Sequence, residues 1–108
     1  MATVHLDTQR ITDRESFHFV CQKVFGFPDF YGMNMDAWID CMSSLDDDAK
    51  MTRFALAEDE VLTIQVSDTE DFNKRLPEVF DLLVECTSFV NRRYVEQHQL
   101  PRIALVFV

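Results

Sequence analysis

The sequence predicts one α/β domain in which a three-stranded parallel sheet is packed with helices. Three short segments near residues 2–6, 61–66 and 103–107 are rich in branched apolar residues, and long stretches with helical periodicity separate them. Helical crossovers of that length join parallel strands, and largely apolar strands are typical of a sheet that helices cover. The 108 residues, 47% of them apolar, are enough for one core, so the whole of 1–108 is expected to be a single domain.

The first helix is predicted over residues 13–25. Thr12 and Glu15 have the spacing of a capping box, and Gly26 with Pro28 ends the pattern. Apolar residues recur at helical spacing along this segment, namely Phe17, Val20, Cys21 and Val24. The pattern therefore predicts an amphipathic helix.

Asn34 is expected to cap a second helix that runs to about Leu45, after an aromatic loop over residues 27–33. An acidic break follows over residues 46–50, and residues 51–59 are expected to contain a short helix.

The second half of the chain contains a further capping box, Ser67 with Glu70, which is expected to begin a helical region. Pro77 is well placed in a first helical turn, and the helix is expected to continue towards Gln97. Leu100 and Pro101 end it before the last strand.

The charge favours a basic partner. Nineteen acidic residues against ten basic ones give a net charge of −9, which repels the phosphates of nucleic acids and attracts cationic proteins. The alternative is that the charge only keeps the protein soluble.

The cysteines predict a reducing compartment. They are odd in number and lie among apolar neighbours, as buried free thiols do: Cys21, Cys41 and Cys86. A catalytic cysteine with His5, His18 or His98 is the alternative. The sequence contains no signal-peptide pattern and no apolar run of membrane-spanning length, so we expect a cytoplasmic protein.

Two carboxylates are predicted to lie together on the second helix. Asp36 and Asp40 are four residues apart, so they share a helix face, and their repulsion costs roughly 0.2–0.5 kcal/mol. The opposite face is expected to be buried through Met35, Trp38, Ile39 and Met42. The acidic face is either an ordinary solvated surface or the binding site of a cationic partner.

Residues 27–42 resemble the barstar family. The shared elements are Pro28, Tyr31-Gly32, Asn34, Asp36-Ala37 and Asp40-Cys41, which match without a gap. The resemblance implies a barstar-like fold and a cytoplasmic antitoxin that blocks the active site of a small, basic, secreted ribonuclease. It implies neither catalysis nor a cofactor or metal.

The family binds its ribonuclease through the loop and the second helix. The resemblance implies that Asp40 enters the enzyme's phosphate pocket as a phosphate mimic, because a fixed carboxylate suits an arginine cluster. The residues that it implies in partner binding are Phe30, Tyr31, Gly32, Asn34, Asp36, Ile39 and Asp40.

The chain departs from the family pattern at three places. Phe30 replaces a tyrosine, and Trp38-Ile39 stands where the family has Leu-Trp. One helical step turns a side chain by about 100°, so Trp38 is expected in the core and Ile39 at the interface position. The long later helix carries an acidic stripe, interpreted as a solvated face: Glu78, Asp81 and Glu85.

Two other functions stay open. In one, the chain is a family member that binds another basic protein and has lost ribonuclease inhibition. In the other, Asp36 and Asp40 act as a metal-bound or acid–base pair in an enzyme, which would require further ligands near the helix.

Overall fold

The structure, a computed structural model, describes residues 2–47 and 50–108. Strands and helices follow one another as β1 Ala2–Leu6, a 3-10 turn Thr8–Arg10, α1 Arg14–Phe25, α2 Met35–Met42, β2 Leu62–Val66, α3 Thr69–Arg75, α4 Pro77–Glu96 and β3 Ile103–Phe107. They form one compact domain, as the sequence predicts.

The sheet has the order β1-β2-β3 with both pairings parallel, which confirms the predicted fold class. Val4, Ile64 and Leu105 stand side by side in register on the face that the helices cover. Alternate residues face the other way, and there His5 and Val106 are exposed to solvent. The core therefore lies on one side of the sheet.

The start of α1 corrects the predicted capping box. Asp13, not Thr12, is the N-cap, and its carboxylate accepts a hydrogen bond from the Ser16 amide at 2.7 Å. The Ser16 hydroxyl in turn accepts from the Asp13 amide at 3.0 Å, so Ser16 takes the place predicted for Glu15. A carboxylate is the stronger acceptor at a helix N-terminus, where the helix dipole favours negative charge.

Three further expectations for the connecting segments are wrong. Within residues 50–60 the chain forms bends and a turn instead of a helix, and α2 ends at Met42 instead of near Leu45. Ser67 does not cap α3 with Glu70. Its hydroxyl donates to the Leu6 carbonyl at 3.1 Å and so joins the ends of β1 and β2.

α4 is the longest helix and packs against α2, α3 and β3. Pro77 occupies its first turn, as predicted. Near its end the Tyr94 hydroxyl donates to the Met42 carbonyl at 2.7 Å and accepts from the Leu45 amide at 3.0 Å. These bonds satisfy backbone groups that the early end of α2 leaves unpaired, and they fix α2 against α4.

The three cysteines are free and buried, which confirms the sequence prediction. No helix among the described residues is both long enough and apolar enough to span a bilayer.

Candidate functional site

The two faces of α2 differ in burial, and this difference orients the candidate site. Trp38, Cys41 and Met42 are at most 2% exposed, whereas Asp36 and Asp40 are exposed. The prediction that Trp38 belongs to the core is confirmed. Met35 and Ile39 lie at the edge of the buried face and are only half-buried. Burial of one face thus holds both carboxylates towards solvent.

Trp38 anchors the helix in the core. Its ring meets Phe25 of α1 edge-on, with ring centroids 6.4 Å apart. The indole nitrogen has no hydrogen-bond partner within the described residues. It lies beside Cys21, where burial raises the pKa of the thiol and the indole partly offsets that rise.

In the loop before α2, two neighbouring aromatic residues differ in burial, although the resemblance implies both in partner binding. Phe30 is 76% exposed, whereas Tyr31 is only 6% exposed. Tyr31 packs against Phe27 with ring centroids 4.6 Å apart and ring planes tilted by 46°, and its hydroxyl is hydrogen-bonded to Nδ1 of His18 at 2.5 Å. The structure thus places the Tyr31 side chain beneath the surface and leaves Phe30 above it.

Asn34 and Gly32 fix the start of α2. The Asn34 side chain accepts from the Ala37 amide at 2.8 Å and donates to the Gly32 carbonyl at 3.2 Å, which confirms Asn34 as the N-cap. Met33, between them, has φ 55°, which is uncommon for a residue with a side chain. Both polar ends of the Asn34 amide are therefore used within the loop.

Asp40 forms an ion pair within the chain. Arg93 of α4 places Nη1 3.5 Å from Oδ1 of Asp40, and the same nitrogen donates to the Ser43 hydroxyl at 3.3 Å. The Asp40 side chain is nevertheless 70% exposed. Most of the Asp40 side chain is therefore accessible to a partner.

α4 contributes residues to this surface that the sequence reasoning did not assign to it. Glu85, Phe89 and Arg93 follow one another at i, i+4 and i+8, so they form one stripe of the helix. Burial raises the pKa of the Cys86 thiol, and the charges of Glu85 and Asp36 raise it further, so both carboxylates act on the same thiol of α4. The i, i+4, i+8 spacing was visible in the sequence, but the proximity of this stripe to α2 was not.

The predicted acidic stripe of α4 is divided between two neighbours. Glu78 forms an exposed ion pair with Arg14 of α1 at 3.2 Å, whereas Glu85, like Asp36, acts on the thiol of Cys86. Glu85 is therefore the acid of this stripe that we group with α2.

We call Phe30, Asp36, Asp40, Glu85, Phe89 and Arg93 the α2–α4 surface. It combines exposed carboxylates with the exposed rings of Phe30 and Phe89, which suits binding of guanidinium and ammonium groups. Among residues 2–47 and 50–108, no group of three or more His, Cys, Asp or Glu side chains is arranged to hold a metal ion.

The fold and this surface define a class of protein: a small α/β domain that presents acidic groups on a short, rigidly packed helix. The family model described as Barstar (barnase inhibitor) matches residues 1–106, and the chain belongs to the Barstar family. None of the curated proteins matches the chain.

Proposed function

We propose that this protein inhibits a small basic ribonuclease by inserting the Asp40 carboxylate into the enzyme's phosphate-binding pocket. The observation that carries the proposal is the orientation of α2, whose buried Trp38 face holds Asp36 and Asp40 towards solvent. Membership of a family described as barnase inhibitors supports the same function.

The site suits phosphate mimicry. Asp40 lies on a helix that is fixed at its start by the Asn34 cap and at its end by Tyr94. A carboxylate on such a support loses little conformational entropy on binding, and arginines bind it with charge-assisted hydrogen bonds. Asp36 adds a second acceptor one turn earlier, and Phe30 supplies an exposed ring in the loop that leads into the helix.

The rest of the chain supports fast association. A net charge of −9 attracts a cationic enzyme over long range, which raises the association rate more than the final affinity. The protein acts, on this proposal, in the cytoplasm as an antitoxin towards a ribonuclease that is otherwise secreted. The protein surface itself binds no nucleic acid.

The test is a titration of ribonuclease activity, with barnase as the first enzyme, together with surface plasmon resonance at two salt concentrations. Asp40→Ala is expected to weaken binding by about 2–5 kcal/mol or more, because it leaves enzyme cations buried without a partner; the barnase–barstar pair is itself one of the systems on which this magnitude rests. Asp36→Ala is expected to have an intermediate effect.

Asp46→Ala is the matched control, since it removes the same charge from the exposed loop after α2. It is expected mainly to slow association and to flatten the salt dependence. Asp48, in the same acidic segment, lies outside the described residues. If Asp40→Ala inhibits as well as the unmodified protein, the proposed mechanism is wrong.

A further inference from the structure

The cation beside Asp40 belongs to the protein itself. Arg93 Nη1 is 3.5 Å from the Asp40 carboxylate, and the guanidinium reaches this position from a neighbouring helix. If Asp40 enters a cationic pocket, a partner's cations and Arg93 are competitors for the same oxygen atoms. This competition rests on the proposed function.

The contact is weak enough for a partner to break. Both side chains are substantially exposed, 42% for Arg93 and 70% for Asp40, and exposed ion pairs contribute little. Arg93 also has a second support, since its guanidinium carbon lies 5.0 Å from the centre of the Phe89 ring. Release of Asp40 therefore leaves Arg93 with an aromatic contact.

Arg93 nevertheless remains next to any cation that Asp40 accepts. A guanidinium does not lose its proton in proteins, so the charge cannot be removed on binding. Like charges brought together at an interface disfavour the complex, and such repulsion is one of the ways in which a surface rejects wrong partners.

We infer that Arg93 is a specificity-determining residue, an intramolecular cation that competes for Asp40 and restricts binding to ribonucleases whose pocket offers Asp40 several cations at once. A partner that offers Asp40 a single lysine or arginine attracts this carboxylate little more than Arg93 already does. A pocket built from several converging cations displaces it.

The experiment measures the dissociation constant and the inhibition of barnase for the full chain and its variants. Arg93→Gln removes the charge and keeps a long side chain beside Ser43. Arg92→Gln is the matched control, because Arg92 is exposed, makes the same change in net charge and points about 100° away around the helix. Each change is also made together with Asp40→Asn.

Arg93→Gln is expected to tighten binding to barnase by about two- to tenfold more than Arg92→Gln does, the range that an exposed ion pair and one nearby repulsion allow. In the Asp40→Asn background this advantage is expected to become smaller, because the competition for the carboxylate is removed and only the repulsion between Arg93 and the partner's cations remains. Arg93→Met, also uncharged, provides a second variant, and melting curves establish which variants are folded.

The outcomes separate the two proposals. If Asp40→Asn weakens binding but folded Arg93→Gln and Arg93→Met match Arg92→Gln, the inference is overturned and the proposed function stands. Binding by Arg93→Gln alone, without binding by the unmodified chain, supports both. If no variant binds or inhibits barnase, the proposed function fails for that enzyme, and the inference fails with it.

Discussion

His18 of α1 and Tyr31 of the loop before α2 are joined by a hydrogen bond of 2.5 Å between Nδ1 and the phenolic oxygen. His18 is 5% exposed, and its burial lowers the pKa of the imidazole. Burial also raises the pKa of Tyr31, so the phenol keeps its proton and can donate to the neutral ring. This contact connects the first helix to the loop that carries Phe30.

The stability of the protein should depend on His18 at mildly acidic pH. Because the pKa of His18 in the folded protein lies below its ordinary value of 6.5, the imidazole binds a proton more readily in the unfolded chain. The contribution of His18 is thus complete above pH 6.5 and is lost as the pH falls below that value towards the folded pKa. Urea unfolding at several pH values between the acidic and neutral ranges measures it.

The control for this dependence is His18→Gln, which has no titrating group. Its free energy of unfolding is expected to change less than that of the unmodified protein between pH 7 and pH 5, the range in which an ordinary histidine titrates. Equal slopes for the two proteins would show that His18 is not responsible. Tyr31→Phe, which removes the hydroxyl, is expected to cost about 1 kcal/mol at neutral pH.

Substitutions on the two faces of α2 should change the free energy of unfolding by very different amounts. Trp38→Ala is expected to lower the free energy of unfolding by about 3–5 kcal/mol, because it empties a fully buried site. Asp36→Ala is expected to change it by no more than about 0.5 kcal/mol, since the side chain is exposed. Thermal melts of the two variants test this, and a large loss of stability for Asp36→Ala would contradict the orientation of the helix.

The thiols should react slowly in the folded protein. Burial raises the pKa of Cys41 to about 11 and raises the pKa of Cys21 and Cys86 as well, so little thiolate is available near neutral pH. A chromogenic disulfide reagent is expected to modify all three only after denaturant is added. Immediate reaction of all three in native buffer would be inconsistent with the packing described above.

The two glycines should differ in their tolerance of a side chain. Gly26 has φ 71°, and an added Cβ would lie 2.8 Å from Cβ of Arg53. Gly26→Ala is therefore expected to destabilise the fold by more than about 1 kcal/mol. At Gly32 the closest added contact is 3.4 Å, to Ala37 and Asn34, so Gly32→Ala is expected to fold normally. Denaturant titrations of both variants compare them, and equal losses would count against this distinction.

Metal titration tests the enzyme alternative. Asp36 and Asp40 are not part of a group of metal-ligating side chains among the described residues. Calorimetry with magnesium, calcium, manganese and zinc is therefore expected to detect no binding tighter than roughly millimolar. A tighter site that Asp36→Ala and Asp40→Ala both abolish would favour the metal-dependent enzyme instead.

Much of the fold was determined by local sequence patterns. The apolar segments at 61–66 and 103–107 and the helical stretches between strands are strong signals, because strand and helix periods differ and crossovers of this length favour parallel pairing. The same periodicity placed Trp38 in the core and Asp36 with Asp40 on the opposite face. Local capping was harder to predict, since Thr12 and Asp13 are both good N-caps and only the backbone path selects Asp13.

Only the tertiary structure decided which side chains meet across elements. The sequence placed Phe30 and Tyr31 together in one aromatic loop, but in the structure Tyr31 is buried and hydrogen-bonded to His18 of α1, whereas Phe30 is exposed. Arg93 lies more than fifty residues from Asp40 along the chain, and helical spacing within α4 carries no information about the distance to α2. Periodicity determines the face on which a residue lies, whereas helix packing determines what that face touches.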